Sequence, residues 1–137
     1  MILKGKITKG LGRAKIFVGM MQEVFYEKNK VKLYPGTLNV KLEDSYNLNV
    51  DYLIKPEEYG GNFDVQVQKC KVFENTAYIV RSEKNTKNNG DYKQDVIEIV
   101  SDINFREKYN LKDGDKIKIE IWIGICVNDV HKILQML

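Results

Sequence analysis

The sequence predicts a mainly β domain, folded as a small barrel with short helices at its periphery. The observations behind this prediction are many short segments of alternating polar and apolar residues, few segments with helical spacing, and a length of 137 residues. A chain of this length suits one domain with one core. Many short strands in so small a domain favour a closed or semi-closed β-barrel.

The N-terminal half shows two strands, a short helix and a third strand. Residues 2–9 and 14–18 predict strands on either side of a glycine turn. Apolar residues at helical spacing predict a helix over residues 20–28. Residues 37–42 alternate with period two and predict a half-buried strand. The polar residues 43–62 that follow predict a loop or weak edge structure.

The C-terminal half begins with a predicted hairpin. Its arms are residues 63–73 and 76–81, with the turn near Glu74-Asn75. The polar, Asn- and Lys-rich residues 82–94 predict a long loop. Residues 96–100 then predict a buried strand.

A short helix over residues 103–109 and a strand over residues 116–123 complete the predicted barrel. Apolar residues at helical spacing after Asp129 predict a C-terminal helix. We therefore expect a barrel domain over residues 1–124 and a helical extension over residues 125–137.

Composition narrows the class of protein. The net charge of +3 is compatible with an anionic ligand and falls short of a dedicated nucleic-acid binder. Cys70 and Cys126 form no CxxC motif, which excludes a zinc ribbon and argues against a disulfide framework. No apolar run reaches the roughly 18–20 residues of a membrane span. We expect a reduced, cytoplasmic protein.

Common catalytic motifs are missing. The chain has no GxxxxGK[ST] phosphate-binding loop, and Lys15 stands where a dinucleotide fingerprint beginning at Gly10 needs its third glycine. His131 is the only histidine and is expected at the surface of the predicted C-terminal helix. Any chemistry must therefore rely on carboxylates, backbone amides, Lys or Arg, or a metal.

Three groups of residues could carry such chemistry, and each has a simpler alternative. The turn at residues 10–15 could bring backbone amides and cations to a phosphate, or be an ordinary β-turn. Thr37 and Asn39 share one strand face and could bind Mg²⁺ through hard oxygens, or simply face water. Glu98, in an apolar strand, could be a general base or face solvent.

A family resemblance rests on three segments, which are GLGRAKIF (10–17), YPGTLNV (34–40) and VIEIVSDINFREKYNLKDGD (96–115). Together they resemble the CTP-dependent riboflavin kinase family. The resemblance runs from about residue 3 to residue 122. It implies a six-stranded barrel of the cradle-loop type. It also implies transfer of the γ-phosphoryl group of CTP to the 5′-hydroxyl of riboflavin, giving FMN and CDP with a divalent cation such as Mg²⁺.

The resemblance assigns site residues by type of ligand. Thr37 and Asn39 would hold the metal, and Glu98 would contact the flavin; its role as the base is our inference. The 82–94 loop gives no clean match to the family's contact with the FMN phosphate, for which Thr86 is our candidate and Lys84 or Tyr92 are alternatives. Nucleotide binding would involve Gly10, Leu11, Gly12, Arg13, Ala14, Lys15, Ile16, Ile103, Asn104, Phe105 and Arg106.

Two alternatives remain open. Residues 110–119 also resemble the hairpin of swapped-hairpin transcription factors, which bind DNA as dimers. A second alternative is a relative that binds flavin or nucleotide without catalysis. Because the lysines are scattered along the sequence and poorly interleaved with aromatics, we expect no nucleic-acid partner. We expect a monomer whose ligands are riboflavin or FMN and CTP or CDP, with no membrane partner.

Overall fold

The computed structural model of the protein describes residues 1–10, 12–82, 95–121 and 135. The helices and strands named here belong to that part of the chain. In chain order they are β1 (Ile2–Thr8), α1 (Ala14–Asn29), β2 (Leu38–Leu42), β3 (Tyr52–Ile54), α2 (Pro56–Tyr59), β4 (Val65–Val72), β5 (Asn75–Ser82), β6 (Val96–Val100), α3 (Phe105–Lys108) and β7 (Lys116–Ile121).

Six strands close into an antiparallel barrel, as predicted. Their order is β4-β5-β6-β2-β1-β7, and β7 pairs again with β4 to complete the ring. The short strand β3 pairs with β4 at the edge of this sheet, within the stretch predicted as a loop or weak edge structure. Closure leaves the six barrel strands with paired neighbours on both sides.

The predicted strand over residues 14–18 is wrong, because these residues form the start of α1. Val18 lies on the buried face of the helix with Met21, Val24 and Phe25. A short, mostly apolar segment such as residues 14–18 fits both strand and helix, and the longer helical spacing decides the outcome. The glycine turn therefore connects a strand to a helix.

Two apolar layers surround the barrel wall. The interior is filled by alternate residues of the strands, such as Ile117 and Ile119, both almost fully buried. The second layer lies between the outer face of the barrel and α1, where Phe25 meets Tyr78 edge to face at 5.4 Å. Because side chains alternate along a strand, residues between interior positions point to the outer face.

The remaining predictions divide by region. The hairpin β4–β5 turns through Phe73 and Glu74, both with left-handed backbone angles (φ 48° and 66°), which suit a tight hairpin turn. The proposed boundary at residue 124, the helical extension and nearly all of the 82–94 loop lie outside the described residues. In the described part of the chain, no helix is long and apolar enough to cross a membrane.

Candidate active site

A cavity of about 860 Å³ brings together three segments that are distant in sequence. Its wall includes residues from segments 9–15, 34–39 and 103–107. These are the glycine turn, the YPGTLN stretch and the residues around α3. The barrel register and the packing of α1 place them side by side, so the three stretches that carry the family resemblance share one site.

The glycine turn leads directly into the N-terminus of α1. Gly12 adopts a left-handed backbone (φ 79°), and Ala14 and Lys15 of the first helical turn line the cavity. Within the described chain Arg13 makes no side-chain cap, and the first turn has no acidic residue. A 16-residue helix whose N-cap residue makes no side-chain cap in the described chain presents backbone N–H groups and a partial positive charge, which suits an anion.

Thr37 and Asn39 line the same cavity with their oxygen atoms close together. The Thr37 hydroxyl donates a hydrogen bond to the Asn39 amide oxygen at 3.2 Å. Neighbouring ligands of an octahedral Mg²⁺ ion lie about 3 Å apart, so the spacing fits such an ion. The described residues contain no cluster of three His, Cys, Asp or Glu side chains that could hold a metal. A cation bound here would therefore take further ligands from water and substrate phosphates.

Glu98 lies next to this oxygen pair, one strand away. In the sheet register Asn39 of β2 stands opposite Glu98 of β6 and, on its other side, opposite Thr8 of β1. Ile97 and Ile99 point into the barrel, so Glu98 is half-buried on the outer face that Asn39 shares. Opposed residues have Cβ atoms about 4.5–5.5 Å apart. The fold thus places a carboxylate beside the Thr37–Asn39 pair.

Arg106 connects α3 to two other segments. Its guanidinium donates to the backbone oxygen of Thr8 at 3.2 Å and forms an ion pair with Asp113 at 2.6 Å. These contacts hold α3 against the end of β1 and the turn before β7. A phosphate contact by Arg106 stays a prediction.

Asn104 and Tyr34 link the other two walls of the cavity. The Asn104 side chain caps α3 by accepting from the Glu107 backbone N–H at 3.2 Å, and it donates to the Tyr34 hydroxyl at 3.0 Å. The Tyr34 backbone N–H also donates to the Ser101 carbonyl at 2.8 Å. Sequence reasoning assigned no role in the site to Tyr34, Ser101 or Asp113. The available signal was Tyr34 standing directly before the Pro35-Gly36 turn.

The predicted site residues fall into three groups. Three predicted residues lie in the described chain but do not line the cavity. They are Arg13, the exposed Ile16 and Glu98. Leu11 and Thr86 lie outside the described residues. The predicted residues that do line it are Gly10, Gly12, Ala14, Lys15, Thr37, Asn39, Ile103, Asn104, Phe105 and Arg106.

Curated relatives match most of the chain. It is 35% identical to "Riboflavin kinase" of Methanosphaera stadtmanae, covering 86% of the chain and 95% of the relative. It is 32% identical to that of Sulfurisphaera tokodaii (88% and 95%) and 30% identical to that of Saccharolobus solfataricus (88% and 74%). Some relatives are longer, and the chain spans 57% of two of them.

Similarity to these riboflavin kinases and to a kinase family model places the chain among the kinases, a class of phosphotransferases. Residues 7–121 match the family model CTP-dep_RFKase, described as "Domain of unknown function DUF120". The chain belongs to this family, the CTP-dependent riboflavin kinases.

Proposed function

We propose that the protein transfers the γ-phosphoryl group of CTP to the 5′-hydroxyl of riboflavin, giving FMN and CDP. The observation that carries this proposal is the single cavity in which the N-terminus of α1, the Thr37–Asn39 pair and the α3 segment meet. Phosphoryl transfer requires mainly positioning and neutralisation of charge, and these three parts supply both.

The phosphate chain of CTP would lie against the glycine turn. Backbone N–H groups at the start of α1 donate to phosphate oxygens, and the cavity-lining Lys9 and Lys15 add positive charge. Thr37 and Asn39 would hold Mg²⁺, whose charge neutralises the phosphates when it is bound. The oxygen spacing and the lack of a carboxylate cluster in the described chain both favour an ion shared with substrate.

Riboflavin would be held from the Glu98 side. The carboxylate accepts a hydrogen bond from the ribityl 5′-hydroxyl and takes its proton as the oxygen attacks the γ-phosphorus, while CDP departs. Because Glu98 stands opposite Asn39, the base would act close to the metal-bound phosphates. Thr86 is our proposed contact for the FMN phosphate.

The α3 segment would recognise the cytosine base. Backbone groups of residues 103–106 can donate to and accept from the base edge, because the Asn104–Tyr34 hydrogen bond and the Arg106–Asp113 ion pair fix this segment. We expect the kinase to act as a cytoplasmic monomer, with neither a membrane nor a nucleic acid required for the reaction.

The test is a nucleotide competition in one assay. Purified protein is incubated with riboflavin, Mg²⁺ and CTP, ATP, GTP or UTP in turn, and FMN is measured by chromatography. CTP should support FMN formation far better than ATP. Equal or faster reaction with ATP would contradict the proposed donor. Binding of CTP and riboflavin without FMN would indicate a non-catalytic relative.

A further inference from the structure

Lysines that are scattered in the sequence come together on the outer face of β2, β1 and β7. In the register Lys6 stands opposite Lys41 on one side and Lys116 on the other, and Lys4 stands opposite Lys118. All five side chains are exposed. Within the described chain none of them lies within 4.0 Å of a carboxylate. Like charges directly opposite each other destabilise a sheet, so this arrangement favours an anionic ligand.

The lysines line a groove of about 940 Å³, which we call the lysine groove. Lys71 of β4 joins them, giving six lysines against three glutamates along the groove. The apolar side chains of Ile2 and Phe73 also line it and are 52% and 41% exposed. The groove thus combines an excess of positive charge with exposed apolar surface.

Phe73 is held as a platform at the β4–β5 turn. Its ring stacks on Tyr109 with centroids 4.3 Å apart and planes inclined by 25°. A ring supported on one face and still exposed can stack with a nucleobase. A basic groove beside an exposed aromatic is the combination that binds single strands without sequence preference.

We propose that the lysine groove binds single-stranded nucleic acid, independently of base sequence. Lysines at alternate positions of one strand recur about every 6.7 Å, forming rows of charge suited to a repeating backbone. The ammonium groups of the lysines can bind phosphate oxygens as point charges. The exposed Phe73 ring, on which a base can stack, favours a nucleic acid over an acidic protein.

The lysine groove is separate from the kinase cavity. No described residue lines both. Nucleic-acid binding can therefore be tested in the same protein without disturbing phosphoryl transfer. The expectation of no nucleic-acid partner rested on basic residues that are scattered in sequence and poorly interleaved with aromatics. The pairing of β1 with β2 and β7 brings five of the groove lysines together in the fold.

The test is fluorescence anisotropy with a labelled 12-nucleotide oligothymidine and the full-length chain. At low salt we expect a dissociation constant on the order of 10⁻⁶–10⁻⁵ M, weakening with salt with a log–log slope of about −3 for four phosphate contacts. An oligouridine of the same length should bind similarly, whereas the matching duplex should bind at least about fivefold more weakly because its bases cannot stack on Phe73.

Matched variants decide whether the groove is responsible. Lys6→Glu with Lys118→Glu should weaken binding at least about tenfold, while Lys30→Glu with Lys32→Glu, which changes net charge equally outside the groove, should change it less than about twofold. Phe73→Leu should weaken binding about fivefold or more.

Equal loss in both charge variants, or duplex binding as tight as single-strand binding, would overturn the proposal. Equally tight binding of heparin, or of an acidic peptide with the same number of charges, would also overturn the proposal. Circular dichroism checks folding.

Discussion

The Asn104 side-chain amide donates a hydrogen bond to the Tyr34 hydroxyl at 3.0 Å, across 70 residues of sequence. Asn104 at the same time caps α3, and Tyr34 begins the turn that leads to Thr37. The bond therefore connects the wall proposed to recognise the base with the wall proposed to hold the metal. The contact adds to the β2–β6 register and to the backbone bond between Tyr34 and Ser101 in fixing the relative position of the two walls.

Tyr34→Phe should weaken CTP binding by removing the hydroxyl that accepts from Asn104. Asn104→Ala should weaken it further, because α3 also loses its cap. The double variant should lose less than the sum, with a coupling energy of about 0.5–1.5 kcal/mol. Calorimetric titration of CTP into the four proteins measures this coupling. Strict additivity would show that the hydrogen bond does not organise the site.

Thr37→Ala should raise the Mg²⁺ concentration for half-maximal activity about tenfold or more, because one proposed oxygen ligand is lost. Thr37→Ser keeps the hydroxyl and serves as the matched control. Asn39 is a less clean probe, since it is only 5% exposed and its truncation also disturbs packing. Magnesium titrations of FMN formation provide the measurement. Wild-type magnesium dependence in Thr37→Ala would remove Thr37 from the metal site.

Glu98→Gln should lower kcat at least about tenfold, because the amide keeps the shape and loses the proton-accepting charge. General-base assistance contributes roughly 10²–10⁴-fold in many enzymes, and phosphoryl transfer lies towards the lower end. CTP affinity and the thermal midpoint should stay close to wild type. Glu27→Gln, an exposed change of equal charge on α1, is the control. Unchanged kcat in Glu98→Gln would leave the reaction without this base.

Cys70 should make folding stability sensitive to alkaline pH. Burial raises the pKa of its thiol from 9.0 to about 12. Below pH 9 the thiol is protonated in both states, whereas between about pH 9 and 12 only the unfolded chain releases the proton. The free energy of unfolding should therefore fall in this window, by up to about 1.4 kcal/mol per pH unit.

Cys70→Ala isolates this effect from the other groups that titrate in alkali. The stability difference between wild type and Cys70→Ala should shrink between pH 8 and pH 10.5 in urea unfolding experiments. A constant difference across that range would show that Cys70 does not carry the pH dependence.

Much of the strand pattern is predictable because alternation is a local property. The strand predicted over residues 116–123 appears as β7 at Lys116–Ile121, with its isoleucines inward. Residues 14–18 are mispredicted because five residues cannot separate a strand from the first turns of a helix. Local pattern is ambiguous there, and only the packing of Val18 with Met21 on α1 resolves it.

The site is predictable in part for a different reason. Motif resemblance proposes the glycine turn, Thr37 and Asn39, and residues 103–106 one segment at a time, and all of these segments line one cavity. It does not reveal that Asn104 bonds to Tyr34, or that Glu98 faces Asn39, because strand register and long-range hydrogen bonds depend on residues far apart in the chain. The lysine groove was not predicted for the same reason, because its lysines come together only through the strand register.

The position of β1 has a consequence for how the protein is made. Gly5 pairs with Leu42 on one side and with Ile117 on the other, so the strand synthesised early needs a partner that leaves the ribosome late. Because synthesis proceeds at roughly 5–20 residues per second, β1 remains without its β7 partner for on the order of 5–20 s. Such distant pairings also slow folding itself. The nascent chain should therefore stay sensitive to protease until β7 has emerged, and gain resistance in a single late step.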